Sequence, residues 1–305
     1  MRQFGPSVMT AVHRSYLFAP GNHARRVEKA LSLGADAVIL DLEDAVAISE
    51  KAAARPLVVA ALRRPRLARA YVRVNAPATS FCHADIAAVI GPGLDGIMIP
   101  KIETPAELFA IDWLIGQIER ERGLPLGAID LLPIIETGKG VANVGAIAAT
   151  GTRARRLSFG AGDFTLDMGI AWTRDEAELA HARASIALAS RAAGLEPPLD
   201  SVWADLEDAA GFRASCVRVK AMGYQGKMCI HPDQIGAVNE VFAPSPAETA
   251  WSERVIAAFK TAERQGLASI QLDGQFIDYP IMQHAERMLA ARDRITSAGK
   301  GRGST

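Results

Sequence analysis

Two acidic residues stand where ligands for a hard cation would stand. Glu136 closes the apolar run 131–135, and Asp163 follows the run 157–159 in Phe159-Gly-Ala-Gly-Asp163. An apolar strand that ends in a lone carboxylate, with glycines such as Gly162 clearing space beside it, presents oxygen to Mg²⁺, with Mn²⁺ as the alternative ion. Two protein carboxylates leave Mg²⁺ several water positions, open to a substrate that chelates through oxygen, which suits a 2-oxo acid. The bland alternative is that each acid caps a helix or pairs with a nearby base.

Other strand ends add polar groups. Arg73, in Val72-Arg-Val-Asn75, can grip a carboxylate through its two-pronged guanidinium beside such a cation. It can equally pair with the acids of Asp41-Leu-Glu43-Asp44. Lys101 and Lys227 are secondary candidates for anionic substrate groups, against a default of solvated surface charge. His231 precedes Pro232 at a helix start and reads as an acid or base, or as a cap for that turn. Asp278, in Gly274-Gln-Phe-Ile-Asp278-Tyr-Pro280, by default caps the helix that begins near Pro280. Its functional alternative is a proton donor on a closing segment that excludes water.

These residues need elements to position them. Short apolar runs alternate with segments of helical period: 16–18 then 24–33, 37–40 then 50–62, 71–74 then 84–90. The alternation continues with 96–99 and 105–122, 131–135 and 140–149, 157–159 and 174–193. A weak seventh run at 199–202 precedes a helix at 206–222, and 227–230 leads into 232–241. Eight such units predict a closed (β/α)8 TIM barrel over residues 14–241, with its active site at the carboxyl ends of the strands. A doubly wound sheet would carry a glycine-rich dinucleotide turn after its first strand, and Ala19-Pro-Gly-Asn22 is not one. Pro244-Ser-Pro-Ala marks a break before a C-terminal, lid-like extension, 242–297, with helices at 248–265 and 281–291 around a short segment at 271–277. The glycine-rich tail 298–305 reads as disordered.

Bulk properties exclude other classes. Lys+Arg and Asp+Glu each total 34, so no global basic field exists to draw nucleic acid or an anionic membrane. No apolar run is long enough to span a bilayer or to serve as a signal segment. Cys82, Cys216 and Cys229 are odd in number and widely spaced, which suits reduced thiols in a soluble, cytoplasmic protein.

Taken together, Arg14-Ser-Tyr-Leu-Phe-Ala-Pro-Gly, Asp41-Leu-Glu-Asp-Ala-Val, Val72-Arg-Val-Asn, Ile99-Pro-Lys, Ile135-Glu-Thr, Phe159-Gly-Ala-Gly-Asp, Gly226-Lys-Met-Cys-Ile-His-Pro and Phe276-Ile-Asp-Tyr-Pro resemble the citrate lyase beta subunit-like branch of the HpcH/HpaI aldolase superfamily. The likeness runs from about residue 14 to 290. It implies Mg²⁺-dependent, reversible carbon–carbon cleavage of a 3-hydroxyacyl-CoA such as malyl-CoA or citramalyl-CoA to an acyl-CoA and a 2-oxo acid, by a homotrimer or hexamer. Coenzyme A would enter as part of the substrate. Carried over residue by residue, Glu136 and Asp163 match the metal ligands, Arg73 the carboxylate-binding arginine, and Glu43 and Asp44 its acidic support. Gly162 would lie beside the substrate, and Asp278 matches an aspartate supplied by a neighbouring subunit. The thioester carrier would approach Pro20 and Asn22 of the first turn and the bases Arg14 and Arg25. Rival readings are a citryl-thioester lyase subunit, a metal-dependent aldolase on free hydroxy oxo acids, and a noncatalytic oligomer of the same fold.

Overall fold

Each apolar run is short, rich in β-branched or aromatic residues and bounded by glycine, proline or a charge, which favours a strand over a helix. The computed structural model describes residues 13–302. It places β1 (Ser15–Pro20), α1 (Ala24–Ser32), β2 (Ala37–Asp41), α2 (Lys51–Leu62), β3 (Arg69–Arg73), α3 (Cys82–Val89), β4 (Gly96–Ile99) and α4 (Pro105–Glu121) in strict alternation. Next come β5 (Asp130–Ile135), α5 (Gly138–Ala142), α6 (Val144–Ala148), β6 (Ser158–Phe159), α7 (Ala161–Met168) and α8 (Ala180–Ala192). The series ends with β7 (Leu199–Asp200), α9 (Ala209–Ala221), β8 (Gly226–Cys229) and α10 (Gln234–Val241). All neighbouring strands are parallel, and β8 returns to β1 with Ser15 opposite Lys227, closing the (β/α)8 barrel that the alternation predicts.

The barrel interior explains where the polar residues stand. Tyr16, Ile39, Tyr71, Met98, Ile134 and Met228 fill it as one apolar cluster. Side chains alternate along a strand, so the residue two positions on faces the same way. Ile39 is followed on that face by Asp41, Tyr71 by Arg73, and Ile134 by Glu136. The charged groups are the last layer of the same stack that forms the core.

Several boundaries differ from expectation. β6 and β7 have two residues each, and the helix expected at 140–149 is broken at Asn143 into α5 and α6. The helix expected from 174 begins at Ala180, after a single 3₁₀ turn at Ala177–Leu179. Gly169 (φ +65°) and Glu176 (φ +54°) adopt left-handed backbone that holds the intervening segment out of a helix. α9 starts at Ala209 because the Asp208 side chain accepts the Gly211 N–H and caps it there. The three cysteines are free and buried.

The described residues form two compact units, 13–239 and the part from Glu240 onward. In the second, Ser245 and Glu248 form a capping box that starts α11 (Pro246–Glu263). β9 (Ser269–Leu272) and β10 (Gln275–Asp278) pair antiparallel, and α12 (Tyr279–Arg302) follows. Val255, Phe259, Ile277 and Ala285 are its core. The segment expected at 271–277 is thus a hairpin, turned by Asp273 and Gly274 at φ +49° and +79°. The tail read as disordered from 298 is helical backbone as far as Arg302, because a formed helix adds one hydrogen bond per residue fixed. Residues 303–305 lie outside the described residues. Among the described residues, no helix is long and apolar enough to cross a membrane.

Candidate active site

The acid-rich turn after β2 and the end of β3 meet first. Arg73 donates from Nε and Nη2 to the two oxygens of Asp41 at 2.7 and 2.6 Å. Its Nη1 lies 3.0 Å from Glu43 Oε2 and 3.5 Å from the exposed Asp44, and its guanidinium sits 4.8 Å above the Phe18 ring. The turn is fixed from below by Lys51, which donates to the Leu42 and Glu43 carbonyls. Gly21 lets the turn after β1 approach, since a Cβ there would stand 2.7 Å from the Asp41 carbonyl oxygen. Sequence reading left Arg73 open between pairing with these acids and gripping a substrate carboxylate. The pairing is present, and Nη1 is the part of the fork not committed to Asp41.

Glu136, at the end of β5, is 2% exposed and points across Gly160. A Cβ on Gly160 would fall 2.1 Å from Glu136 Oε2, so only glycine leaves room for that carboxylate. Glu136 Oε1 accepts the main-chain N–H of Lys101 at 2.9 Å. Lys101 also sends its ammonium to Glu43 Oε1 at 2.6 Å and to Asp163 Oδ1 at 3.3 Å. Asp163 lies in the first turn of α7, where a negative charge is favoured, with the exposed Gly162 before it. Glu43, Asp44, Arg73, Glu136 and Asp163 are therefore gathered at one mouth. Lys101, held as a secondary candidate, is the group that joins them.

Electrostatics separate these acids. Burial would raise the Asp41 carboxyl, but the Arg73 charge and the N–H groups of Glu43 and Ala45 outweigh it and hold Asp41 below its usual range. Glu43 is raised, because burial exceeds what Arg73 and Lys101 return. Its Oε2, though near Arg73, is buried and accepts no hydrogen bond. Glu136 is pushed up to about 8, first by burial and then by the charges of Asp163 and Glu43. The mouth carries more negative charge than its own bases neutralise, and a hard cation would relieve that. Among the described residues, no third His, Cys, Asp or Glu joins Glu136 and Asp163 as a metal-binding group, so such a cation would keep open positions.

A cleft of about 530 Å³ opens beside the first turn, lined by Phe18, Pro20, Arg26, Lys29, Ile230 and His231. Pro20 lines this cleft. Asn22 donates to Glu50 at 2.6 Å and keeps a buried Oδ1 without a partner. The expectation for Arg14 needs correction. Arg14 precedes β1 at the far end of the strand from the mouth, and is tied to Asp36 by two side-chain hydrogen bonds and to the Asn239 carbonyl. Arg25 is exposed on α1 and does not line the cleft, whereas Arg26 and Lys29 do. Lys227 is also removed: Met228 faces the barrel interior, so Lys227 points outward, fully buried and paired with Asp200. Asp278 ends β10 in the second unit, and its Oδ1 accepts the Ile281 N–H at 3.2 Å, which is the capping role that spacing predicted by default.

Comparisons with known proteins identify the family. The model of the HpcH/HpaI aldolase/citrate lyase family matches residues 14–232. Citrate lyase subunit beta of Leuconostoc mesenteroides is 37% identical over 280 residues, covering 91% of this chain and 92% of that protein. L-malyl-CoA/beta-methylmalyl-CoA lyase of Cereibacter sphaeroides is 34% identical over 307 residues, covering 93% and 96%. Among solved structures, protein CitE from Mycobacterium tuberculosis in complex with magnesium, acetoacetate and coenzyme A has a TM-score of 0.77 and 31% identity, over 93% of this chain and 99% of that one.

Proposed function

The chain belongs to the HpcH/HpaI aldolase/citrate lyase family, and from that premise we propose that it is a Mg²⁺-dependent lyase that reversibly cleaves a 3-hydroxyacyl-CoA of the malyl-CoA or citramalyl-CoA type to an acyl-CoA and a 2-oxo acid. The observation that carries the reading is the buried Glu136 carboxylate, held under Gly160 and raised to about 8 beside Asp163 and Glu43. A buried carboxyl whose ionised form is disfavoured by burial and by two neighbouring acids suits a site that a divalent cation completes. Glu136 and Asp163 would hold Mg²⁺, which when bound supplies a Lewis acid for the hydroxyl and carboxylate oxygens of the substrate.

The remaining work falls to this chain's own residues. Arg73, aimed by Asp41 and Glu43, turns Nη1 toward the substrate carboxylate. The cleft at Pro20 takes the carrier, with Arg26 and Lys29 near its phosphates. Loss of the hydroxyl proton to water at the mouth forms the carbonyl of the 2-oxo acid as the adjoining carbon–carbon bond breaks, and the bonding pair passes to the thioester α-carbon as an enolate. Asp278 protonates that carbon. In the reverse direction Asp278 removes a proton from the acyl-CoA, and the enolate attacks the oxo acid. In this reading a neighbouring copy, in a homotrimer or hexamer, supplies Asp278 on its second unit, which closes over the mouth and excludes water.

A second reading, a citryl-thioester lyase subunit, is favoured by the likeness to citrate lyase subunit beta. Malyl-CoA, citramalyl-CoA, citryl-CoA and free hydroxy oxo acids should be assayed for release of acyl-CoA and oxo acid, with and without Mg²⁺. The proposal expects Mg²⁺-dependent cleavage of a malyl or citramalyl thioester. Cleavage of the citryl thioester alone would establish the second reading, and cleavage of free acids with indifference to coenzyme A would overturn both.

A further inference from the structure

Lys101 combines two features that are independent of each other. Its backbone is left-handed (φ +53°), one of three non-glycine residues so placed among those described. Glycine adopts that conformation without a steric cost and lysine does not, so a lysine here needs a use for its side chain. The left-handed turn aims the Lys101 N–H at Glu136 Oε1, 2.9 Å away. The side chain then reaches back over the mouth, where Nζ lies 2.6 Å from Glu43 Oε1 and 3.3 Å from Asp163 Oδ1. One residue thus touches Glu136, Glu43 and Asp163 through two different groups.

We propose that Lys101 is the resident counterion and positioning residue of the cation site: its amide fixes Glu136, its ammonium keeps Glu43 and Asp163 together, and a divalent cation binds by displacing that ammonium from Asp163. The inference rests on the reading that Glu136 and Asp163 hold a cation. The contact with Asp163 is the longer one and yields first, while the bond to Glu43 keeps the ammonium at the mouth. Glu43 is 5% exposed as a residue, and its Oε2 stands 3.0 Å from Arg73 Nη1 without a hydrogen bond, so the carboxylate that holds the ammonium is fixed between two bases. A unit charge and a divalent ion that share Asp163 weaken one another, so each restrains the other's occupancy.

Binding of Mn²⁺ alone to the full chain, followed by electron paramagnetic resonance of the free ion, tests this. Lys101→Met removes the ammonium at nearly constant shape, and Lys101→Gly does so while relieving the backbone. Both are expected to bind Mn²⁺ at least about tenfold more tightly than the wild type, and Lys101→Arg to stay within about threefold of it. A merely structural role would weaken binding in every variant. Unchanged or weaker binding in both Met and Gly variants, with wild-type binding abolished by Glu136→Gln, would overturn the role of Lys101 and leave the cation site standing. Wild-type binding that is absent, or indifferent to Glu136→Gln, would instead overturn the cation site and Lys101's role with it.

Discussion

Glu136 and Asp200 are both buried carboxylates at strand ends of one barrel, yet burial leaves them in opposite states. Asp200, on β7, faces outward because Leu199 before it faces the interior. It accepts from Arg183 at 2.8 and 3.0 Å and from Lys227, and Glu176 accepts from Arg183 at 2.8 Å and from Ser215 at 2.7 Å. Burial would raise Asp200, but the Lys227 and Arg183 charges overcome it and hold the carboxyl below its usual range. Glu136 faces inward, has one amide and a shared ammonium for company, and is raised to about 8. The difference teaches how to tell a structural buried charge from a functional one. The first has its partners within the chain, and the second is left short of them.

Four outcomes would sharpen or break that contrast. The largest is expected at the mouth. Glu136→Gln should lower Mg²⁺-dependent turnover by about 10²- to 10³-fold or more while the metal-free protein melts no earlier than the wild type, as measured by steady-state rates and thermal denaturation. Near wild-type rates at low Mg²⁺ would remove Glu136 from the site. In second place, Asp200→Asn should cost about 3–5 kcal/mol of stability in denaturant titration, since it strands Lys227 and Arg183 in a buried setting, and should leave cation affinity unaltered.

Third is the pH dependence, whose signs are opposite for the two acids. Glu136 binds a proton in the folded state up to about 8 but only to about 4.5 when unfolded. Its contribution is therefore full below about 4.5 and is lost as pH rises toward 8, with a slope no steeper than about 1.4 kcal/mol per pH unit. Asp200, lowered from 3.8, contributes stability above that value and loses it as pH falls through its folded pKa. Denaturation of the metal-free protein across this range should show the Glu136 slope, and Glu136→Gln should abolish it; an identical slope in the variant would contradict the assignment. The smallest effect separates the two ends of β1: Arg26→Ala should raise KM for the thioester several-fold by removing about 1 kcal/mol of phosphate contact, and Arg14→Ala should leave KM unchanged.

How much of this could be read from residue order follows from the same physics. The barrel was legible because eight apolar runs alternate with helical periods, and the mouth acids because strand ends are easy to count. Lys101 was underrated because its importance lies in a left-handed backbone, which no side-chain pattern announces. The hairpin of the second unit was missed although Asp273-Gly274 is a turn signal with a known backbone preference. Arg14 was misjudged because a base before a strand belongs to the opposite end from a base after it. Lys227 follows the same alternation that put Met228 inside. The break at Asn143 follows no strong helix breaker in the sequence.

The central claim is that one divalent cation binds between Glu136 and Asp163 at the carboxyl ends of β5 and β6. Anomalous diffraction from crystals grown with Mn²⁺ and pyruvate tests it most directly. The account predicts a single manganese peak within about 2.0–2.3 Å of an oxygen from each side chain, with the 2-oxo acid completing its coordination and the Arg73 guanidinium on the acid's carboxylate. A peak elsewhere, or none between those two carboxylates, would contradict it.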